Sequence, residues 1–410
     1  MVQAGSLLYA VYVCLLISVL STALIFIFNC NLEISTRQAV QSDLIDLCDS
    51  CIDLYLSDSE NFVDFNSEKL SPFDNGLVCK FSKKKWGSYI KLTVKAFFKK
   101  DTIQKSAFVG PRGDKDMQAL VVCDWDKPLK VSGFTTIKGN MKIPATGYKT
   151  VNILGNNQLN KPILIGNITK SSQSLPEISI PILEAMETAG TKTSLSKIDK
   201  GSPVYKGFGK RPLIIELEKG EQLNSLSFKG NIVIKSVDTL YINSSTKIED
   251  VIVQAPKIVI GNGFEGRAQF FAANEIFVEE DVLLAYPSGL VVTSGNSLSE
   301  KKITLSKDSK VYGGIVIHGA TLDEKENNKM IVYENALVMG TLYCNGKLQL
   351  EGNVMGTVYA HKLQLETKSG TYDDVLLNVK IDALNVPKGF IHLPLFKQQE
   401  KNTYGIIKTL

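Results

Sequence analysis

From Leu129 onward the chain alternates short apolar triplets with polar turns. Ile232-Val233-Ile234, Leu240-Tyr241-Ile242, Val251-Ile252-Val253, Ile258-Val259-Ile260, Ile276-Phe277-Val278, Leu290-Val291-Val292 and Ile315-Val316-Ile317 are the clearest, separated by Gly, Asn, Asp and Lys. β-branched triplets between turn residues predict strands about three residues long. The triplets at 240–242, 258–260 and 276–278 recur 18 positions apart. Towards the end, Val338-Met339-Gly340-Thr341-Leu342-Tyr343 returns as Val354-Met355-Gly356-Thr357-Val358-Tyr359, and Lys347-Leu348-Gln349-Leu350 returns as Lys362-Leu363-Gln364-Leu365.

A repeat of this size, made of three-residue strands and tight turns, has the dimensions of one coil of a parallel β-helix, in which each coil buries its inward side chains only by stacking on its neighbours. A βαβ pattern is excluded because no long 3.6-period segments separate the strands. A sandwich would show longer alternating strands. The expected fold is therefore mainly β, a right-handed parallel β-helix (solenoid) preceded by an N-terminal transmembrane α-helix and a small β region. The β-helix is expected over 129–371, with early coils at 129–168, an excursion at about 170–211 and a main stack at 212–366. Residues 59–128 would form the small β region and 372–410 a C-terminal β cap. The V-M-G-T-x-Y and K-L-Q-L units resemble bactofilins, a polymer-forming bacterial cytoskeletal family; that resemblance implies self-association into a membrane-associated scaffold.

At the other end of the chain, Leu7 to Phe28 carries no charge. As a helix it would extend roughly 33 Å, enough for the hydrocarbon core of a bilayer. A signal peptide would have a basic start and a shorter apolar core. The stretch reads as a retained anchor within 1–30. After it, Val40, Leu44, Leu47, Cys51 and Leu54 recur at helical spacing, with Asp43, Asp46, Asp49 and Asp53 off that stripe, predicting an amphipathic stalk over 31–58. Arg37 is the sole cation between Asn29 and Glu68. The positive-inside rule then places the N-terminus in the cytoplasm and the body outside it, at the inner membrane. An apolar span running into an amphipathic helix and then a β body resembles type IV pilins and minor pseudopilins, with Gly5-Ser6-Leu7-Leu8 similar to a prepilin cleavage junction. That resemblance implies a component of a pilus or secretion assembly.

Composition adds exclusions. A net charge of +4 over 410 residues is too dilute for a nucleic-acid partner. Seven dispersed cysteines form no disulfide framework. Cys48 and Cys51 make a C-x-x-C in a helical stretch, expected as small helix-face residues rather than a redox or metal site. Gly261-Asn262-Gly263-Phe264-Glu265-Gly266 matches G-x-G-x-x-G, but a dinucleotide site needs a helix to start there, and the following residues read as strand. Glu279-Glu280-Asp281 reads as a turn. His318 and His361 are expected at the surface. Asn167-Ile168-Thr169 and Asn243-Ser244-Ser245 are sequons. No catalytic residue, cofactor or metal site is expected. The expected role is a non-enzymatic, membrane-anchored structural protein of the bacterial cell envelope that meets protein partners, or itself, through the helix or the solenoid ends. Two alternatives stand: a polysaccharide-binding or polysaccharide-degrading β-helix, and a cytoplasmic bactofilin-like membrane scaffold.

Overall fold

A computed structural model describes residues 4–57, 76–113, 117–153, 162–179, 190–199, 201–293, 300–319, 321–396 and 403–410. The chain divides into two compact units, one of Met1–Ser82 with Thr93–Lys105, the other of Lys83–Leu92 with Ser106–Leu410.

In the N-terminal unit the expected anchor and stalk are one uninterrupted helix, Ala4–Ser57. Residues 5–28 are exposed throughout, and the helix contains a window of mean hydropathy 2.6, long and apolar enough to cross a membrane. Past that stretch one face closes. Leu44, Leu47, Cys48, Cys51, Ile52, Tyr55 and Leu56 are buried while the four aspartates stay outside. The buried stripe is displaced from the predicted one, because Leu54 is exposed and Cys48, Ile52 and Tyr55 take over the inner face. The Cys48 Sγ lies 3.9 Å from the Val94 carbonyl oxygen and 3.7 Å from that of Ile103, and Lys105 Nζ pairs with Asp49 at 2.6 Å.

The strands Val78–Trp86, Tyr89–Phe98 and Asp101–Pro111 follow, forming a four-stranded sheet that Tyr404–Thr409 completes, antiparallel to residues 107–111. Tyr404–Thr409, within the expected C-terminal cap, thus joins this sheet. Residues 58–75, part of the predicted small β region, lie outside the described residues. Gln118–Val122, expected in that region, belongs to the parallel pairing described next.

The larger unit is dominated by parallel strands in three ladders. In the first, Val311, Val338, Val354, Ile381, Ile137 and Leu164 are successive register partners. In the second, Ile215, Ile234, Val253, Phe270, Leu290, Ile315, Leu342, Val358, Leu120, Met141 and Ile168 follow one another. In the third, Leu240, Ile258, Ile276, Ile303, Met330, Leu348 and Leu363 do so. Nearly all of these side chains are fully buried in one continuous core. The repeat units seen in the sequence are direct partners: Val338 with Val354, Gly340 with Gly356, Tyr343 with Tyr359 and Lys347 with Lys362.

Glycine in V-M-G-T has a steric cause. Gly313, Gly340 and Gly356 have φ of 146°, 127° and 145°, and a Cβ on Gly340 would lie 1.8 Å from the Gly313 carbonyl oxygen. At this corner each backbone crosses directly over the one before it, with no room for a side chain.

Chain order and pairing order differ. The expected early strands do not lead into the main stack. Leu120 pairs with Val358, Ile137 with Ile381 and Val131 with Leu376, so residues 118–170 extend the ladders at the end reached last by the chain. At the opposite end Thr191–Ser194 and Val204–Lys206 pair with strands at 213–217 and 227–236, so part of the expected excursion is itself ladder. The connecting segment passes over the outer face of the second ladder. Ser172 accepts from the Asp124 amide, Pro176 from the Tyr343 hydroxyl, and Ile178 bridges to Phe396. Triplets tell which side chains face inward, but not which strand they pair beside.

The second ladder is apolar on both sides. Its outward residues Ile214, Val233, Ile252, Phe271, Val291, Val316, Tyr343 and Val121 are buried in a second cluster with Trp86, Tyr89, Phe108, Leu175, Ile178, Leu393 and Leu395. The turn at Gly87 is held there by Gln269, whose Oε1 accepts from the Ser88 amide at 2.6 Å and whose Nε2 donates to the Trp86 carbonyl at 3.2 Å.

Candidate functional site

A set of buried polar and titratable side chains lies at the corner where the chain leaves the second ladder. Val292, Ile317, Cys344, Ala360 and Val122 are register partners. The residue after each is Thr293, His318, Asn345, His361 and Cys123, so parallel register alone piles polar groups at one corner. Cys123 Sγ meets His361 Nδ1 at 3.6 Å in a buried contact. Trp125 donates from Nε1 to the His361 carbonyl at 2.9 Å and sets its ring edge-on to the imidazole at 5.0 Å. Asn345 donates to the Gly319 carbonyl at 2.9 Å, and Asn328 donates to the Asn345 carbonyl at 3.2 Å.

A short helix, Leu322–Asn327, closes the corner through a capping box between Thr321 and Glu324. The other Glu324 oxygen pairs at 3.0 Å with Lys301, whose side chain is 1% exposed. A charge buried so completely needs such a partner.

Burial governs the ionisation here. It pushes the His361 imidazole down to about 4, aided by the positive Lys325 and Lys362, and pushes the Cys123 thiol up to about 12. His318 is lowered mainly by burial, against the opposing pull of Glu324. Near neutral pH the Cys123–His361 pair is therefore a neutral thiol beside a neutral imidazole. A nucleophilic cysteine works as a thiolate in an electropositive, partly exposed setting, which is the opposite arrangement. Among the described residues no three His, Cys, Asp or Glu side chains gather as a metal site.

The other sequence candidates scatter. Cys48 and Cys51 lie on the buried face of the long helix. The G-x-G-x-x-G stretch leads into the strand Glu265–Val278, not a helix, and its Asn262 amide is held by Glu279 at 2.8 Å. Glu279-Glu280-Asp281 is a turn, with Asp281 at φ 55°. Of the sequons, Ile168 and Thr169 lie in the strand Ile168–Lys170, and Asn243 sits at a corner, donating to Asn224 at 2.9 Å. His361 is buried rather than at the surface, since its coil is covered there by Trp125 and Cys123. Of the exposed tyrosines in the strands, Tyr205 is in the first ladder, Tyr241 is in the third, and Tyr148 is in a separate sheet formed by strands at 129–132, 148–150 and 375–377.

Two features were not anticipated. Lys229, Glu249, Arg267, Asp250 and Lys408 form an ion-pair network beside a cavity of about 460 Å³, with Lys229 to Glu249 and Arg267 to Asp250 both at 2.7 Å. His392 is buried, with Nδ1 3.3 Å from the Thr341 hydroxyl, and burial pushes it down to about 4. Neither has a local signature, since the participants come from separate stretches of chain.

No protein-family model, curated protein or solved structure matches this chain.

Proposed function

We propose that this chain is a non-enzymatic structural protein of the bacterial cell envelope, anchored in the inner membrane through Leu7–Phe28. The ladders are, on this reading, the three faces of a right-handed parallel β-helix held on the non-cytoplasmic side. The observation that carries it is the apolar stretch of the N-terminal helix, exposed along its whole length and continuous with a segment that packs in the N-terminal unit. Lipid would cover that surface, which water cannot solvate cheaply. The neutral, buried state of the Cys123–His361 pair supports a structural rather than catalytic body.

Association of copies through the ladder ends fits the same reading. The strands Tyr148–Thr150, Ile163–Ile165 and Ile168–Lys170 each pair on one side among the described residues, and Ile163, Ile165 and Ile168 are exposed. Unpaired parallel edges of this kind accept further strands. The sharper version is a minor-pilin-like component of a pilus or secretion assembly.

Protease treatment of spheroplasts and of inverted vesicles tests the proposal. Digestion of the body in spheroplasts, with the helix remaining in the carbonate-washed membrane, is the expected result. Digestion only in inverted vesicles would replace it with a cytoplasmic bactofilin-like scaffold. Release of the intact chain by carbonate would remove the anchor altogether.

A further inference from the structure

A cavity of about 280 Å³ lies between Arg112, Gly113 and Met117 on one side and the segment 383–392 on the other, wholly within the larger unit. Backbone contacts hold its two sides together. Arg112 bridges antiparallel to Ile391, and the His392 amide donates to the Pro111 carbonyl at 3.0 Å. The second side is braced in turn. The Phe390 amide donates to the Pro387 carbonyl at 3.0 Å, and the Tyr286 hydroxyl donates to the Ile391 carbonyl at 3.1 Å. The Phe390 ring packs 4.9 Å from that of Tyr286 and 5.1 Å from the His392 imidazole. Walls fixed in this way suit a pre-formed ligand site.

The lining divides by chemistry. Met117, Leu384, Val386, Pro387 and Phe390 supply an apolar wall. Arg112 and Lys388 supply two cations, and among the described residues no carboxylate lines the cavity. His392 completes it. The residue is 8% exposed, and its Nδ1 is 3.3 Å from the Thr341 hydroxyl. Its Nε2, on the other side of the ring, is buried without a hydrogen-bond partner. A polar atom left so is costly unless something bonds to it. With Thr341 donating to Nδ1, Nε2 carries the ring hydrogen and is a donor. A Cβ on Gly113 would stand 3.1 Å from that nitrogen and 2.6 Å from the Met117 Sδ, so the missing side chain leaves space beside the donor.

We propose that this cavity binds a small organic carboxylate, with the acid group at Arg112, Lys388 and His392 and a short apolar or aromatic body against the wall. The Arg112 fork matches the two oxygens of a carboxylate, and Lys388 adds a second charge. At ~30 Å³ for each water in the liquid, the volume equals about nine waters, room for an acid of roughly ten non-hydrogen atoms. An inorganic anion would leave the apolar wall unused, and a neutral molecule would leave the cations so. The site is independent of which side of a membrane the body occupies.

The experiment exploits a chain with three histidines, His318, His361 and His392. Labelled with carbon-13 at the imidazole ε1 position, the full chain in detergent gives three ring signals, and His392→Gln identifies one of them. Benzoate, close to the expected size, is titrated at pH 7.5. The expected result is a saturable movement of the His392 signal while the other two stay in place. Arg112→Gln and Lys388→Gln should each weaken binding by about tenfold, the loss of one charge-assisted hydrogen bond. Gly113 is outside the positive-φ set, so Gly113→Ala keeps its backbone; it should fill the gap and abolish the movement. A His392 signal that benzoate leaves unmoved overturns the proposal, as does unchanged affinity in both charge variants. Equal binding of benzamide would show that charge is not recognised, and equal binding of inorganic phosphate that the apolar wall is not; either result also overturns it.

Discussion

The second and third ladders are built from the same kind of triplet, yet they meet different surroundings. In the stretch 232–242, Ile232-Val233-Ile234 lies in the second ladder and Leu240-Tyr241-Ile242 in the third. The outer residue of the first triplet, Val233, is 0% exposed, whereas Tyr241 is 54% exposed. Elsewhere the contrast is weaker: Val291 and Val316 are buried in one cluster with Trp86, Phe108 and Leu393, while the outer positions of the third ladder are mixed, with Val259, Thr304, Ile331 and Gln349 buried and Phe277 and Gln364 half-buried. A parallel strand apolar at every position is a strand covered on both faces, and one that alternates is covered on one. The middle residue alone does not report a second layer, since Val259, Phe277 and Ile331 are apolar at outer positions of the third ladder yet lie outside the second apolar cluster.

Four measurements would break or sharpen this contrast. Val233→Asp places a carboxylate between two apolar layers and should cost at least about 4 kcal/mol, read as a collapse of the urea midpoint. Acid should act next. His361 stands at the corner between the two ladders and His392 in the segment covering the second, and both fall from 6.5 to about 4 on burial. The unfolded chain binds these protons more readily. Stability is thus complete above pH 6.5 and is lost as pH falls from 6.5 towards 4, by about 3 kcal/mol for each residue at most. Urea midpoints at pH 7.5 and 4.5 would show the loss, and His392→Gln should reduce it.

Gln269→Ala removes the amide that holds the Ser88 N–H and the Trp86 carbonyl, and should cost about 2 kcal/mol, with a red shift of Trp86 fluorescence as the turn loosens. Trp125, the second tryptophan, would be replaced by Phe so that Trp86 is observed alone. Tyr241→Asp, the counterpart of the first variant at an exposed outer position of the third ladder, should change stability by less than about 0.5 kcal/mol. Comparable losses at Val233 and Tyr241 would show that the outer layer contributes little.

Much of this architecture was legible locally. The charge-free run from Leu7 lies in the exposed part of the helix, and the triplets 18 positions apart, Leu240, Ile258 and Ile276, are register partners. Val338 and Val354, at corresponding positions of the V-M-G-T repeat, are register partners. What was hidden depends on distant partners. Nothing near Leu120 indicates that it stacks on Val358, since any apolar strand of that length offers the same inward residues. The corner that joins Cys123 to His361 inherits this ignorance: each looked like an isolated residue until register placed them side by side. His392 follows no triplet, and its environment comes from Thr341 on another strand.

The reversed stacking of residues 118–170 sets a timetable for biogenesis. Cys123 and His361 are separated by 238 positions, so a ribosome delivers the first long before the second exists. The early strands must wait, with apolar flanks unmet, until translation is nearly finished. Such long-range closure is slow and leaves the nascent polypeptide exposed to aggregation. Shortening the chain from its C-terminus would therefore strip the partners from strands synthesised first, and a late stop codon would damage the earliest strands of the parallel ladders as surely as the last.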